Sequence, residues 1–163
     1  MADFAGHNRL AEVVYCISDE FYNRALDFRR KGSSEQAREY FQISAEGWET
    51  IVNLPGNFRK TSQACQLAGD CYRLLGQHEK ALAFYQHLVE TWPDSKLVWH
   101  GQYLIGCSYE RLKEGGVVDR EEANTIIETT YTQLLENYPD CPAVKAASNW
   151  LINNTAAMEG GQI

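Results

Sequence analysis

Cys107 and His100 are the residues whose types best fit nucleophilic catalysis, in which an imidazole takes the proton of a thiol. They are seven positions apart in the sequence, and on one helix that separation is about 10 Å of rise. The chemistry needs the two side chains within hydrogen-bond distance. The HExxH, GxSxG, phosphate-loop and dinucleotide-binding motifs do not occur in the sequence. We therefore expect no catalytic residue, and a protein that is not an enzyme.

Histidine and cysteine, the usual ligands of zinc, are scattered along the chain. His78 and His87 lie nine positions apart on one predicted helix, which is too far for one metal ion. The five cysteines include no CxxC pair, and their odd number argues against a disulfide framework. The sequence therefore predicts no metal site and no cofactor, and cysteines that are small buried thiols.

Three arginines recur just after an aromatic residue, once in each copy of a repeated pattern: Arg29, Arg73 and Arg111. A guanidinium can hold a carboxylate through two parallel hydrogen bonds, so an acidic segment or a C-terminal carboxylate is a suitable ligand. The other interpretation is purely structural, because a cation near the C-terminus of a helix interacts favourably with the helix dipole.

Length and composition limit the class of protein. The 163 residues are enough for one domain or a short repeat array, and 44% apolar with 23% charged residues is typical of a soluble globular chain. A net charge of −7 argues against nucleic acid and anionic membrane as partners. Uncharged stretches stay well below 18 residues, so we expect no membrane insertion. The first twelve residues show no leader pattern, which favours a cytoplasmic protein, or a periplasmic one if a leader was removed.

The repeated pattern is clearest in the middle of the chain, at Gly69, Tyr72, Gly76, Ala81, Tyr85, Leu88, Trp92 and Pro93. The copy before it has the same spacing at Ala25, Phe28, Gly32, Ala37, Phe41, Ser44 and Trp48. The copy after it has Gly106, Tyr109, Tyr131, Leu134, Tyr138 and Pro139. Each copy holds two segments with apolar residues at i, i+3, i+4 and i+7, which predicts a pair of helices.

The predicted helices are 9–31, 34–53, 58–75, 78–91, 95–112, 120–137 and 142–157. We expect residues 1–158 to form one domain with helix pairs at 9–55, 57–93 and 95–139, a closing helix at 142–157, and a flexible tail at 159–163. Gly32 and Gly76 are predicted C-caps, and Ser33 and Asp119 begin predicted capping boxes.

Packing roles follow from the same repeated positions. Gly69 and Gly106 mark places where two helices approach closely, with an aromatic residue three positions later filling the space. Trp48, Trp92 and Tyr138 occupy equivalent positions before the end of the second helix, where each is expected to pack on the next helix.

This pattern resembles the tetratricopeptide repeat family over roughly residues 18–157, most specifically at Gly69, Tyr72, Ala81, Tyr85 and Pro93. The resemblance implies an all-α fold, a right-handed solenoid of about three antiparallel helix pairs plus a C-terminal closing helix. It also implies a concave groove, lined by the first helix of each pair, that binds peptides or proteins. The phrase Trp92-Pro93-Asp94-Ser95 and its later copy Tyr138-Pro139-Asp140-Cys141 resemble a bacterial subgroup that includes outer-membrane-assembly lipoproteins and periplasmic cell-division coordinators.

The resemblance also implies which residues face the groove: Tyr22, Leu26, Arg29, Arg30, Gln63, Gln66, Asp70, Arg73, His100, Tyr103, Cys107, Glu110, Arg111, Asn149 and Asn153. The residues predicted to contact a partner are Tyr22, Arg29, Arg30, Gln66, Asp70, Arg73, His100, Tyr103, Arg111 and Asn149. Two of the asparagine positions that chaperone adaptors use to hold a carboxylate are occupied by Leu67 and Leu104, so binding of a chaperone tail is disfavoured.

The predicted function is a non-catalytic scaffold that binds a peptide or a partner protein in the concave groove, with an acidic segment as a candidate ligand. The alternative is a self-associating subunit of a bacterial envelope or multiprotein assembly, and hence a possible homo-oligomer, with Trp48, Trp99 and the apolar closing helix as contacts. Trp150, Leu151 and Ile152 of that helix either pack on the third pair or leave a surface for another repeat or subunit.

Overall fold

A computed structural model describes residues 4–159, and side chains from residue 6 to residue 154. Within that range the chain forms seven helices and no strand, which confirms the predicted all-α helical-repeat solenoid. The helices are α1 Phe4–Arg30, α2 Ser34–Asn53, α3 Thr61–Leu74, α4 His78–Thr91, α5 Val98–Glu114, α6 Arg120–Asn137 and α7 Val144–Glu159. The predicted bounds of α2, α4 and α6 agree with the observed ones. The flexible tail is predicted at 159–163, but Glu159 is the last residue of α7, and residues 160–163 lie outside the described residues.

The turns inside the three pairs share one geometry. Gly32, Gly76 and Gly116 have φ values of 77°, 77° and 69°, in the left-handed region that favours glycine. In each turn the N–H after the glycine donates to a carbonyl five residues back, at 2.9 Å: Ser33 to Phe28, Gln77 to Tyr72, Val117 to Leu112. This is the Schellman termination of a helix. As a result α1, α3 and α5 all end at the same edge of the array.

The predicted capping boxes differ in outcome. Asp119 caps α6, since its carboxylate accepts from the N–H groups of Glu121 (2.8 Å) and Glu122 (3.2 Å). Ser33 makes no side-chain capping bond to α2, so that part of the prediction is wrong. The helix begins there without it because the glycine turn already orients the chain.

Each helix packs mainly on the next one in the sequence, as expected for a repeat array. The close approach at Gly69 is confirmed, but the ring that fills the space is Tyr85 of α4 and not Tyr72. Tyr131 of α6 takes the same place against Gly106. The prediction of an aromatic three positions later is wrong because that ring projects elsewhere: Tyr72 stacks on Phe84, with ring centroids 5.5 Å apart.

Trp48 is fully buried, with 0% of its surface exposed, and packs edge-on against Tyr15 at a centroid distance of 4.8 Å. It therefore has no surface for a symmetric contact between copies, and that part of the prediction is wrong. Trp99 is half-buried in a second apolar cluster with Trp150 and Leu151. The closing helix thus packs on the third pair, while its Ile152 is 66% exposed. No helix in residues 4–159 combines the length and apolar character needed to span a bilayer.

Candidate functional site

The C-terminal turns of α1, α3 and α5 bring three arginines to one cleft. Arg29, Arg73 and Arg111 line a cleft of about 530 Å³. The remaining lining residues are Leu74, His78, Tyr103, Leu104 and Cys107. Four of the predicted contact residues therefore share one concave space, which we call the arginine cleft.

The three arginines are held differently. Arg111 is exposed and pairs with Glu114 at 2.7 Å, a contact within the last turn of its own helix. Arg29 is exposed and forms no ion pair with any described residue. Arg73 is partly buried, and its Nε is buried without a hydrogen-bond partner among the described residues. Guanidinium groups with unused donors, held in a concave site, favour an anionic ligand.

Asp70 contacts Arg73 of the cleft and is itself buried, with 7% exposure. Its carboxylate accepts a hydrogen bond from the Tyr85 hydroxyl at 2.8 Å and one from Gln66 Nε2 at 3.3 Å. Its Oδ1 also lies 3.8 Å from Arg73 Nη2. Burial raises the pKa of Tyr85, and the Asp70 charge raises it further, so the phenol stays a donor. Asp70 and Gln66, predicted as partner contacts, are thus engaged with the protein itself and position Arg73.

His78 lines the cleft although the sequence analysis did not include it in the site. It is the first residue of α4, and its Nδ1 is buried without a partner among the described residues. Burial lowers the pKa of His78, and the charges of Arg111 and Arg73 lower it further, against a smaller opposing effect of Glu114. The imidazole is therefore neutral at pH 7. Its position directly after the Gly76 turn was the signal available in the sequence.

Besides Asp70 and Gln66, four predicted contacts lie outside the lining of the arginine cleft. Tyr22 is half-buried against Phe41, with ring centroids 5.8 Å apart, and burial with the Asp70 charge raises its pKa to about 12. His100 is half-buried, and burial lowers its pKa. Arg30 is exposed and pairs with Asp27 at 3.4 Å, and Asn149 is exposed on α7.

The cysteines fall into two groups. Cys65 and Cys71 are buried, and burial raises the pKa of each thiol to about 12, so they are inert packing groups. Cys16 is exposed, and Cys107 and Cys141 are half-buried, which corrects the expectation that all are buried. Cys107 Sγ lies 3.6 Å from the Tyr131 hydroxyl. Among the described residues, no group of three or more histidine, cysteine or acidic side chains is placed to hold a metal ion.

Comparison with known proteins identifies the repeat. A family model described as the tetratricopeptide repeat matches residues 61–95, which cover α3, the Gly76 turn and α4. No curated protein matches the sequence. The chain therefore contains a tetratricopeptide repeat in an all-helical array. Repeats of this class generally mediate protein–protein interaction, and the matched repeat supplies Arg73 and His78 of the arginine cleft.

Proposed function

We propose that the protein is a non-catalytic scaffold that binds an acidic segment of a partner protein in the concave groove. The observation that carries the proposal is the convergence of Arg29, Arg73 and Arg111 on one cleft. The identity and compartment of the partner, including the bacterial envelope setting that Trp92-Pro93-Asp94-Ser95 favours, remain predictions.

A ligand carboxylate can replace the Glu114 carboxylate as the partner of Arg111. The pair between Arg111 and Glu114 has both side chains more than half exposed, and such pairs contribute only about 0.2–1 kcal/mol. A ligand carboxylate can displace Glu114 at that small cost. It then also reaches Arg29 and the accessible part of the Arg73 guanidinium, whose side chain is 37% exposed. Charge-assisted bidentate hydrogen bonds in a concave site are roughly twice as strong as neutral ones.

Reversing the two exposed cationic side chains of the cleft is expected to weaken binding at least about tenfold, which corresponds to about 1.4 kcal/mol. The variant is Arg29→Glu with Arg111→Glu, which leaves Arg73 and its contact with Asp70 intact. Peptides would first be selected on the wild-type protein from a random displayed library, which should enrich Asp and Glu. Fluorescence anisotropy of the best selected peptide then measures the Kd of each variant.

The matched control is Arg38→Glu with Arg120→Glu, which changes the net charge equally at two exposed arginines outside the cleft. We expect a change of less than about threefold, because exposed charges at a distance are screened by salt. Circular dichroism establishes that both variants are folded. An equal loss in the two variants, or a selection without acidic enrichment, contradicts the proposal.

Binding is also expected to strengthen as the pH falls from 7.5 to 6. In the free protein the pKa of His78 is lowered by burial, Arg111 and Arg73, whereas a bound carboxylate favours the imidazolium and raises that pKa. Proton uptake on binding makes the affinity increase with falling pH, while ligand carboxylates stay ionised because their ordinary pKa is about 4. In the same anisotropy titration, the Kd of the His78→Gln variant should be nearly independent of pH. If its Kd depends on pH as strongly as that of the wild type, His78 does not take part in binding.

A further inference from the structure

The first helix carries an apolar stripe that the groove does not use. Leu10, Val13 and Ile17 are 47%, 56% and 50% exposed, although each is a large apolar side chain. Their spacing of i, i+3 and i+7 places them on one face of α1. Singly exposed apolar residues are ordinary, but a contiguous row of them marks an interaction surface.

The stripe lies on the outer face of the first pair, away from the rest of the array. Tyr15 contacts the loop before α3, with its ring 6.1 Å from that of Phe58, so that side of α1 faces the second pair. The stripe lies on the opposite side of the helix by the 100° rotation per residue. Ser44 Oγ donates to the Ser18 carbonyl at 2.9 Å, so α2 packs on a different side of α1 from the stripe.

We propose that a second copy of this chain covers this face, with the two α1 helices antiparallel about a two-fold axis near residue 14. This alignment sets Leu10 within one helical turn of Ile17 of the second copy, and places Val13 close to the axis. The proposed dimer uses a different surface from the arginine cleft, so the proposal does not rest on the proposed function.

The charges beside the stripe favour the antiparallel arrangement. Arg9 is exposed and forms no ion pair with any described residue. In the antiparallel alignment it comes within one turn of Glu20 of the second copy, which pairs with Arg24 of its own helix at 2.8 Å. Arg9 would therefore extend an existing ion pair, and the contact occurs twice by symmetry. A parallel alignment would instead oppose like charges, Arg9 to Arg9 and Glu20 to Glu20. The self-complementary pattern is what a two-fold contact requires.

The size of the face is sufficient for a specific contact. The 27 residues of α1 and the 20 residues of α2 correspond to lengths of about 40 Å and 30 Å, and each helix is about 10 Å across. The outer face of the pair is therefore about 600–800 Å², close to the roughly 800 Å² per partner of a standard interface. At its centre on α1 lie the apolar side chains of Leu10, Val13 and Ile17, as in the buried core of a dimer interface.

The test is the oligomeric state of the full chain by sedimentation velocity over a hundredfold range of concentration. We expect a dimer for the wild type, and for Val13→Glu at least a tenfold larger dissociation constant, because the symmetric contact buries the new carboxylate twice. The matched control is Val117→Glu, since Val117 is 58% exposed and lies off the stripe. That variant should dimerise as the wild type does.

Cys16 supplies a second readout, because it is the exposed cysteine of the described chain and lies within about one turn of the proposed axis. A short bifunctional thiol reagent should join two wild-type chains and fail with Cys16→Ser. Val13→Glu, which keeps the thiol, should lose the cross-link. A wild type that stays monomeric at every concentration, or equal effects of Val13→Glu and Val117→Glu, overturns the proposal. The variant Arg29→Glu with Arg111→Glu should remain dimeric. Dimerisation can therefore be tested independently of ligand binding in the arginine cleft.

Discussion

Replacing Trp48 by alanine is expected to lower the free energy of unfolding by about 3–5 kcal/mol, the usual cost of removing a large aromatic side chain from a core. The indole is 0% exposed and packs against Tyr15 in the cluster that joins the first two pairs. Its Nε1 is buried without a partner among the described residues, which destabilises the native protein. Removing that donor therefore offsets part of the loss in the free energy of unfolding. The value should therefore lie in the lower half of the range, as measured by urea unfolding.

Trp92→Ala is the matched control, because Trp92 occupies the same position one repeat later. It is half-buried and has His87 as a ring neighbour, with centroids 5.3 Å apart. Because Trp92 is only partly buried, its removal sacrifices less transfer free energy. We therefore expect the free energy of unfolding to fall by about 1–2 kcal/mol. Equal losses for the two tryptophans would mean that Trp48 does not join the first two pairs as the packing indicates.

Gly69→Ala is expected to destabilise the fold by about 2 kcal/mol. A Cβ at this position would lie 2.6 Å from Cε1 of Tyr85. Tyr85 has little freedom to move, since it is 0% exposed and its hydroxyl is bound to Asp70 at 2.8 Å. Overpacking lowers the free energy of unfolding by about 1–3 kcal/mol. The higher helix propensity of alanine raises it by at most about 1 kcal/mol. The measurement is again urea unfolding followed by circular dichroism.

Gly101→Ala in α5 is a comparison with a smaller steric conflict. Its new Cβ would meet the ends of two side chains, Leu88 Cδ2 at 3.0 Å and Val89 Cγ2 at 3.3 Å. We therefore expect a change below about 1 kcal/mol in either direction. Combining Gly69→Ala with Tyr85→Leu should cost less than the sum of the single changes, because the shorter side chain makes room for the methyl group. Strict additivity would show that the ring is not the obstacle.

Much of the fold is predictable from the repeated positions. Glycine turns such as Gly32 and Gly76 and the periodicity of apolar residues are local properties, so the bounds of α2, α4 and α6 follow from them directly. The three arginines could also be selected from their recurrence beside an aromatic residue. The three helices differ in length, but each ends in the same glycine turn, which places equivalent residues at the same edge of the array.

The details of packing were not predictable in the same way. A repeated aromatic shows that a ring is needed, but not which neighbour fills the space at Gly69, since that depends on how two helices cross. The burial of Trp48 and the exposure of Leu10 likewise depend on whether another helix lies against them. Both residues are large and apolar, so residue type alone does not separate core from surface.

The sequence alone thus establishes the helix pairs, the turns between them and the arginine recurrence, because each depends on local spacing along one chain. The tertiary structure alone decides that Arg29, Arg73 and Arg111 share a cleft with His78. It also decides that Asp70 is buried and bonded to Tyr85, and that α1 presents an uncovered apolar face. These features arise from contacts between segments far apart in the chain. Such contacts are set by the crossing and stacking of the helices, which no local pattern encodes.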